Sequence, residues 1–111
     1  MPGSDAWIAN DHAVAIPRPN SPIPFHVVIA PRRHVPSFYD LDVQEQMIIW
    51  EMLRQLCRRV SESLTIEGFD AGFVDAVDGV EPAHTHVHLI PRIAGQRFER
   101  PPGAEWVDLG A

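Results

Sequence analysis

HTHVHLIPR, residues 84–92, places three of the chain's six histidines, His84, His86 and His88, at every second position. Alternation of this kind has a structural meaning only on a β-strand. There, successive side chains point to opposite faces, and residues two apart share a face about 6–7 Å from one another. In a helix the middle histidine would be turned about 200° from each neighbour and the three could not converge. The spacing therefore predicts a strand over 84–90. Its three imidazoles would line one surface, with Thr85, Val87 and Leu89 entering a core and Pro91 marking the strand's end.

Outward from that strand the chain supplies the rest of a sheet. FDAGFVDAV (69–77) reads as its neighbour. WIAND and AVAIP read as short strands separated by a turn at Asn10-Asp11-His12, and HVVIAP (26–31) as a β-branched buried strand. Between them PRPNSPIP (17–24) holds four prolines and must be a loop or an extended connection. The period then changes. Val43, Met47, Trp50, Leu53, Cys57, Val60 and Leu64 step by three or four, widened by Ile49, Met52 and Leu56. Asp42 with Glu45 three residues on forms a capping box that starts this helix, and Gly68 is its expected stop. Strand pairs flanking one long helix predict an α+β fold with a largely antiparallel sheet.

The bulk composition narrows the class. A length of 111 residues with 45% hydrophobic content suits one domain spanning 1–111, with a core of about 7–92 and a C-terminal tail, 93–111. A net charge of −6 argues against a nucleic-acid binder, which needs a basic face, but leaves room for one nucleotide in a local pocket. Cys57 stands alone, so no intramolecular disulfide forms, and it is expected as a small buried hydrophobe. With no signal pattern and no apolar run near ~18 residues, the expectation is a cytoplasmic protein without membrane association.

A row of imidazoles suits two tasks. Histidines sharing a strand face are a common part of zinc sites. They also suit phosphate chemistry, in which one imidazole attacks phosphorus while its neighbours neutralise oxygens and protonate a leaving group. For the metal, no carboxylate or cysteine is spaced to complete the ligand set. A solvated, fortuitously histidine-rich strand is the bland alternative, and strict alternation counts against it.

At this point the ordered set of motifs resembles the histidine triad family, in particular its bacterial dinucleoside polyphosphate hydrolase-like branch. HTHVHLIPR is similar to its His-x-His-x-His signature. Pro24-Phe25-His26 stands for a Pro-Gly-His motif, Pro31-Arg32-Arg33-His34 for Ile-Pro-x-x-His, SFYDL (37–41) for the phrase before the helix, and GFDAGF (68–73) for the one after it. The closing PPGAEWV resembles bacterial tails. The resemblance implies a five-stranded antiparallel sheet with one long and one short helix, and a homodimer. It also implies cleavage of a small-molecule nucleotide, a dinucleoside polyphosphate or phosphoramidate, at its α-phosphate, with no metal or other cofactor. His86 would carry the nucleotidyl intermediate, His88 would contact phosphate and ribose, His84 would support the row, and His26 would join the cluster. Asn20, Gly79 and Val80 would fall at nucleotide-contacting positions. The alternative within the family is a nucleotide-binding protein with little catalysis.

Three positions depart from the pattern. The family's Asp or Asn eight residues before the Pro-Gly-His histidine holds the ribose hydroxyls; here it is Arg18, which cannot accept a hydrogen bond. Val74 stands at a usual Asn. In the loop before the triad Val80 replaces a Gln, Glu81 adds a negative charge and Pro82 removes a backbone donor, while Gly79 keeps the close-approach position. His34 lacks the N-terminal cysteines with which some members bind zinc, and His12 lies in a turn without a role.

Overall fold

The structure is a computed structural model and describes residues 6–18, 20–75, 85–96 and 98–109. Six strands form one sheet: β1 (Ile8–Ala9), β2 (Ala13–Pro17), β3 (Val27–Pro31), β4 (Ile66–Val74), β5 (His86–Ile93) and β6 (Glu105–Leu109). They lie in the order β1-β2-β3-β5-β4-β6, and every pairing is antiparallel. This is one strand more than expected, and the addition comes from the tail. EWVDL is only five residues long and follows Pro-Pro-Gly, so it carries little strand signal of its own. Its pairing with β4, Gly72 opposite Trp106 and Asp70 opposite Asp108, is a tertiary decision.

The Asn10 side chain shapes the β1–β2 turn by accepting from the backbone N–H groups of His12 (2.8 Å) and Ala13 (3.0 Å). The strand expected over 84–90 begins at His86 among the described residues, and Thr85 just before it turns to the core as the alternation requires. Thr85 is buried and donates to the Val74 carbonyl (3.0 Å), while its backbone N–H reaches the Val35 carbonyl (2.8 Å). The strand does not end at Pro91 but runs on to Ile93. The last β3 pairing is at Leu89, so at Pro91 the ladder is one-sided, and there a missing donor is tolerated.

Helix α1 (Val43–Ser63) packs on one face of the sheet. Its capping box forms as read: Asp42 accepts from the Glu45 N–H (2.8 Å) and Glu45 accepts from the Asp42 N–H (3.1 Å). The helix stops before Gly68, because Leu64 already turns extended and β-branched Thr65 and Ile66 lead into β4. Gly68 instead follows a bulge in that strand. The buried stripe is Ile49, Met52, Leu53, Leu56 and Val60, against Val27, Ile29, Ala71, Val87 and Leu89 of the sheet. It is rotated from the expected stripe, leaving Val43, Met47 and Trp50 exposed. Cys57 packs half-buried at the margin of this core, and burial pushes its thiol up to about 11. The short helix is a 3-10 turn, Phe38–Asp40, capped by Ser37. Among the described residues no helix is long and apolar enough to cross a membrane.

Candidate active site

Because α1 covers the face bearing Val87 and Leu89, the even-numbered residues of β5 face the other way. His86 and His88 lie there with ring centroids 5.2 Å apart and planes at 74°. Their sheet partners complete the surface: Val28 and Gly72 flank His88, and Val74 flanks His86. His84, Gly79 and Val80 lie outside the described residues. Val74, at the usual Asn position, does sit beside the triad strand.

The proline-bearing loop delivers His26. A hydrogen bond from the Arg18 N–H to the His26 carbonyl (2.8 Å) closes the loop at the end of the β2–β3 hairpin, next to His88. His26 Nε2 lies 2.9 Å from His88 Nδ1, and both rings are buried, 3% and 5% exposed. Behind His26, Ser21 Oγ lies 2.7 Å from Nδ1 and accepts from the Ile23 N–H at 3.2 Å. Arg18 places a guanidinium nitrogen 3.5 Å from both nitrogens of the His88 ring. A donor equidistant from both nitrogens points along neither lone pair, so Arg18 acts on the ring mainly as a charge. Asn20 is exposed at the loop tip in the left-handed region (φ 60°), which Asn tolerates well. Phe25, where the motif has Gly, is left-handed too (φ 59°) and packs edge-on against Trp7 at 6.0 Å.

This environment favours neutral imidazoles. Burial pulls His26 down to about 4, helped by the Arg18 charge. Burial pulls His88 down to about 3, with further lowering from His26, His86 and Arg18. The His26–His88 hydrogen bond occupies two ring nitrogens that a metal would need. Among the described residues no group of three His, Cys, Asp or Glu could hold a metal ion.

Sequence reasoning missed the wall supplied by β6. Trp106 lies across Gly72, with its ring 6.4 Å from that of His88, and the Arg100 guanidinium carbon sits over the indole, 5.5 Å from its centroid. Asp70, buried, takes 2.7 Å hydrogen bonds from Arg92 and Arg100, and Arg92 also reaches Asp108 at 2.8 Å. These contacts tie the tail to the triad strand. Beyond them along β5 lies a cavity of about 840 Å³ bordered by Asp70, Ile90, Arg92, Phe98 and Arg100. Neither Ser21 nor Trp106 had a legible signal, since each acts through a contact made only in the fold. His12 and His34 are exposed.

The HIT domain family model matches residues 3–95. The chain is 32% identical over 71 residues to the asymmetrical bis(5'-nucleosyl)-tetraphosphatase of Schizosaccharomyces pombe, covering 63% of this chain and 39% of that protein. It is 27% identical over 90 residues to the bis(5'-adenosyl)-triphosphatase of Dictyostelium discoideum, covering 80% and 60%. The chain thus spans between about two fifths and three fifths of these relatives. A HIT family protein from Bacillus anthracis superposes with a TM-score of 0.70 at 16% identity, covering 88% of this chain and 73% of that one. A HIT family hydrolase from Legionella pneumophila gives 0.60 at 23%, covering 89% and 88%. With the histidine row, its sheet and the family match in agreement, this chain belongs to the HIT domain family.

Proposed function

We propose that the protein is a nucleotide hydrolase that cleaves a nucleoside polyphosphate or phosphoramidate at its α-phosphate through a nucleotidyl–histidine intermediate. The observation that carries this reading is the adjacency of His86 and His88 on one face, with His88 braced by His26. An imidazole nitrogen of His86 would attack phosphorus. A P–N bond forms, the P–O or P–N bond to the leaving group breaks, and the leaving group departs with that electron pair and a proton from solvent, which the attacking water returns in the second step. Water would then attack the same phosphorus, break the P–N bond, release a nucleoside monophosphate and regenerate His86. His88 serves as the neutral donor to a phosphate oxygen; by the family resemblance, His84 would support the row and Gly79 and Val80 would contact the nucleotide. The names of the relatives, a tetraphosphatase and a triphosphatase of dinucleosides, support this substrate class.

Incubating the protein with diadenosine polyphosphates and an adenosine phosphoramidate tests the reading. AMP release and an acid-labile adenylyl adduct are expected, both lost in His86→Asn and both insensitive to chelators. Wild-type turnover in His86→Asn would overturn it. One observation favours the alternative, a nucleotide binder with little catalysis. Arg18, at the usual ribose-acceptor position, lies on His88 instead. That alternative expects AMP binding without turnover. The exposed apolar face at Val43, Met47 and Trp50 supports a homodimer, and a cytoplasmic location fits a nucleotide substrate.

A further inference from the structure

We propose that Ser21 is a positioning residue: it sets the direction of the hydrogen-bond chain Ser21–His26–His88, so that His88 presents Nε2–H rather than a bare lone pair to the bound phosphate. The inference deepens the reading above, because it rests on His88 facing the phosphate.

The argument follows the donors along the chain. A neutral imidazole has one N–H and one lone pair, so each ring must donate through one nitrogen and accept through the other. Two directions are then open. In the first, Ser21 donates to His26 Nδ1, His26 Nε2–H donates to His88 Nδ1, and the His88 proton sits on Nε2. In the second every bond is reversed, and His88 Nε2 is left with a lone pair aimed at an anion. The contacts themselves are short, 2.7 Å and 2.9 Å, and both rings are nine-tenths or more buried.

The Ile23 backbone favours the first direction. Its N–H donates to Ser21 Oγ at 3.2 Å and polarises the hydroxyl to donate onward. The same loop carries both ends of this contact, since the His26 N–H is bonded to the Ile23 carbonyl at 3.3 Å. A fixed backbone donor therefore anchors the direction of three successive side chains. Burial, helped by the Arg18 charge, keeps both rings neutral, which the alternating pattern requires.

The test uses the acceptor-only side chain of Ser21→Asp, which can only take a proton from His26 Nδ1 and so reverses the chain. Imidazole ¹⁵N spectra at pH 8 report the tautomer of each ring in the free protein. Wild type and Ser21→Thr are expected to show Nε2–H on both His26 and His88. Ser21→Asp is expected to show Nδ1–H on both, with kcat lowered about 10²-fold, the order lost with one preorganised donor, and KM little changed. Ser21→Thr should stay within about twofold of wild type in kcat. Nδ1–H on His88 in the wild type, or unchanged tautomers in Ser21→Asp, would overturn the proposal. Reversed tautomers with unchanged kcat would uphold the role of Ser21 and overturn His88 as the donor to phosphate. If neither protein turns over any nucleotide, the spectra still decide the direction.

Discussion

Trp106 lies across Gly72, and with His88 the two form one rung of the sheet over β5, β4 and β6. A Cβ at position 72 would stand 2.8 Å from two carbons of the indole ring and 2.9 Å from a third. Both the indole and its partner Gly72 are held in the β4–β6 ladder, so the clash is with a ring anchored by its own strand. Gly72→Ala is therefore expected to destabilise the protein by about 1–3 kcal/mol, as overpacking does. It should also red-shift the tryptophan emission. The double-mutant cycle with Trp106→Ala isolates the contact, and a coupling of at least about 1 kcal/mol is expected in urea melts. Additive effects would show that the clash is relieved elsewhere.

The buried histidine pair makes stability depend on pH. Both rings titrate lower in the folded protein, at about 4 for His26 and about 3 for His88, than the ordinary histidine value of 6.5 expected of the unfolded chain. Below 6.5 the unfolded chain therefore binds protons that the folded one refuses. Stability is fully present above 6.5 and falls as pH drops towards 4 and then 3. A loss of at least about 1 kcal/mol is expected between pH 6.5 and 4.5. Glu45 and Glu51, lowered to about 2 mainly by hydrogen bonds from Arg33 and Arg54, lose their contribution below that interval, from 4.5 downwards. Urea melts at pH 6.5 and 4.5 check the expectation, and His26→Asn/His88→Asn should flatten the slope. A slope unchanged in that double variant would assign it to other groups.

The histidine strand and the capped helix were legible because each rests on local chemistry: alternation in one, Asp42 with Glu45 in the other. The helix stripe was legible in kind but misplaced in angle. Its sequence is apolar over too wide an arc, and the sheet, not the periodicity, selects Met52 over Val43 and Met47. Strand β6 was not legible, because its pairing depends on Gly72 leaving room for Trp106 and on Asp70 receiving Arg100. In the site, His86, His88 and His26 came together as the resemblance implied. Ser21 was hidden in a proline-rich loop whose folding alone brings its hydroxyl to His26.

Phe25 inverts a familiar ranking. At φ 59° a side-chain-bearing residue is strained by about 1–2 kcal/mol, whereas Gly is not. Substitution by Ala or Gly removes the contact with Trp7, but only Gly removes the strain. Phe25→Gly is expected to be more stable than Phe25→Ala by about 1 kcal/mol, although Gly is the less stable of the two at ordinary positions. Paired thermal melts decide it, and a more stable Ala variant would mean that the loop relaxes out of the left-handed conformation.

Arg18 contributes charge rather than a ribose contact. Its guanidinium has no acceptor to offer ribose hydroxyls, and it rests 3.5 Å from both His88 nitrogens. Two consequences follow from removing it. In Arg18→Gln both His26 and His88 should titrate higher than in the wild type, though burial still holds them low. The change should be clearer at His26, where Arg18 is the one charge acting, than at His88, where His26 and His86 outweigh it. NMR titration of the ring protons reads this directly. The second consequence is in binding. An anionic phosphate beside His88 loses a cation, so AMP should bind about 3–10-fold more weakly, corresponding to about 1 kcal/mol for an exposed charge-assisted contact. Adenosine, which has the ribose but no phosphate, should bind the variant as well as it binds the wild type. The AMP difference should shrink as salt is raised. Equal weakening of adenosine and AMP would show instead that Arg18 shapes the nucleoside pocket and that its position by His88 is incidental to phosphate binding.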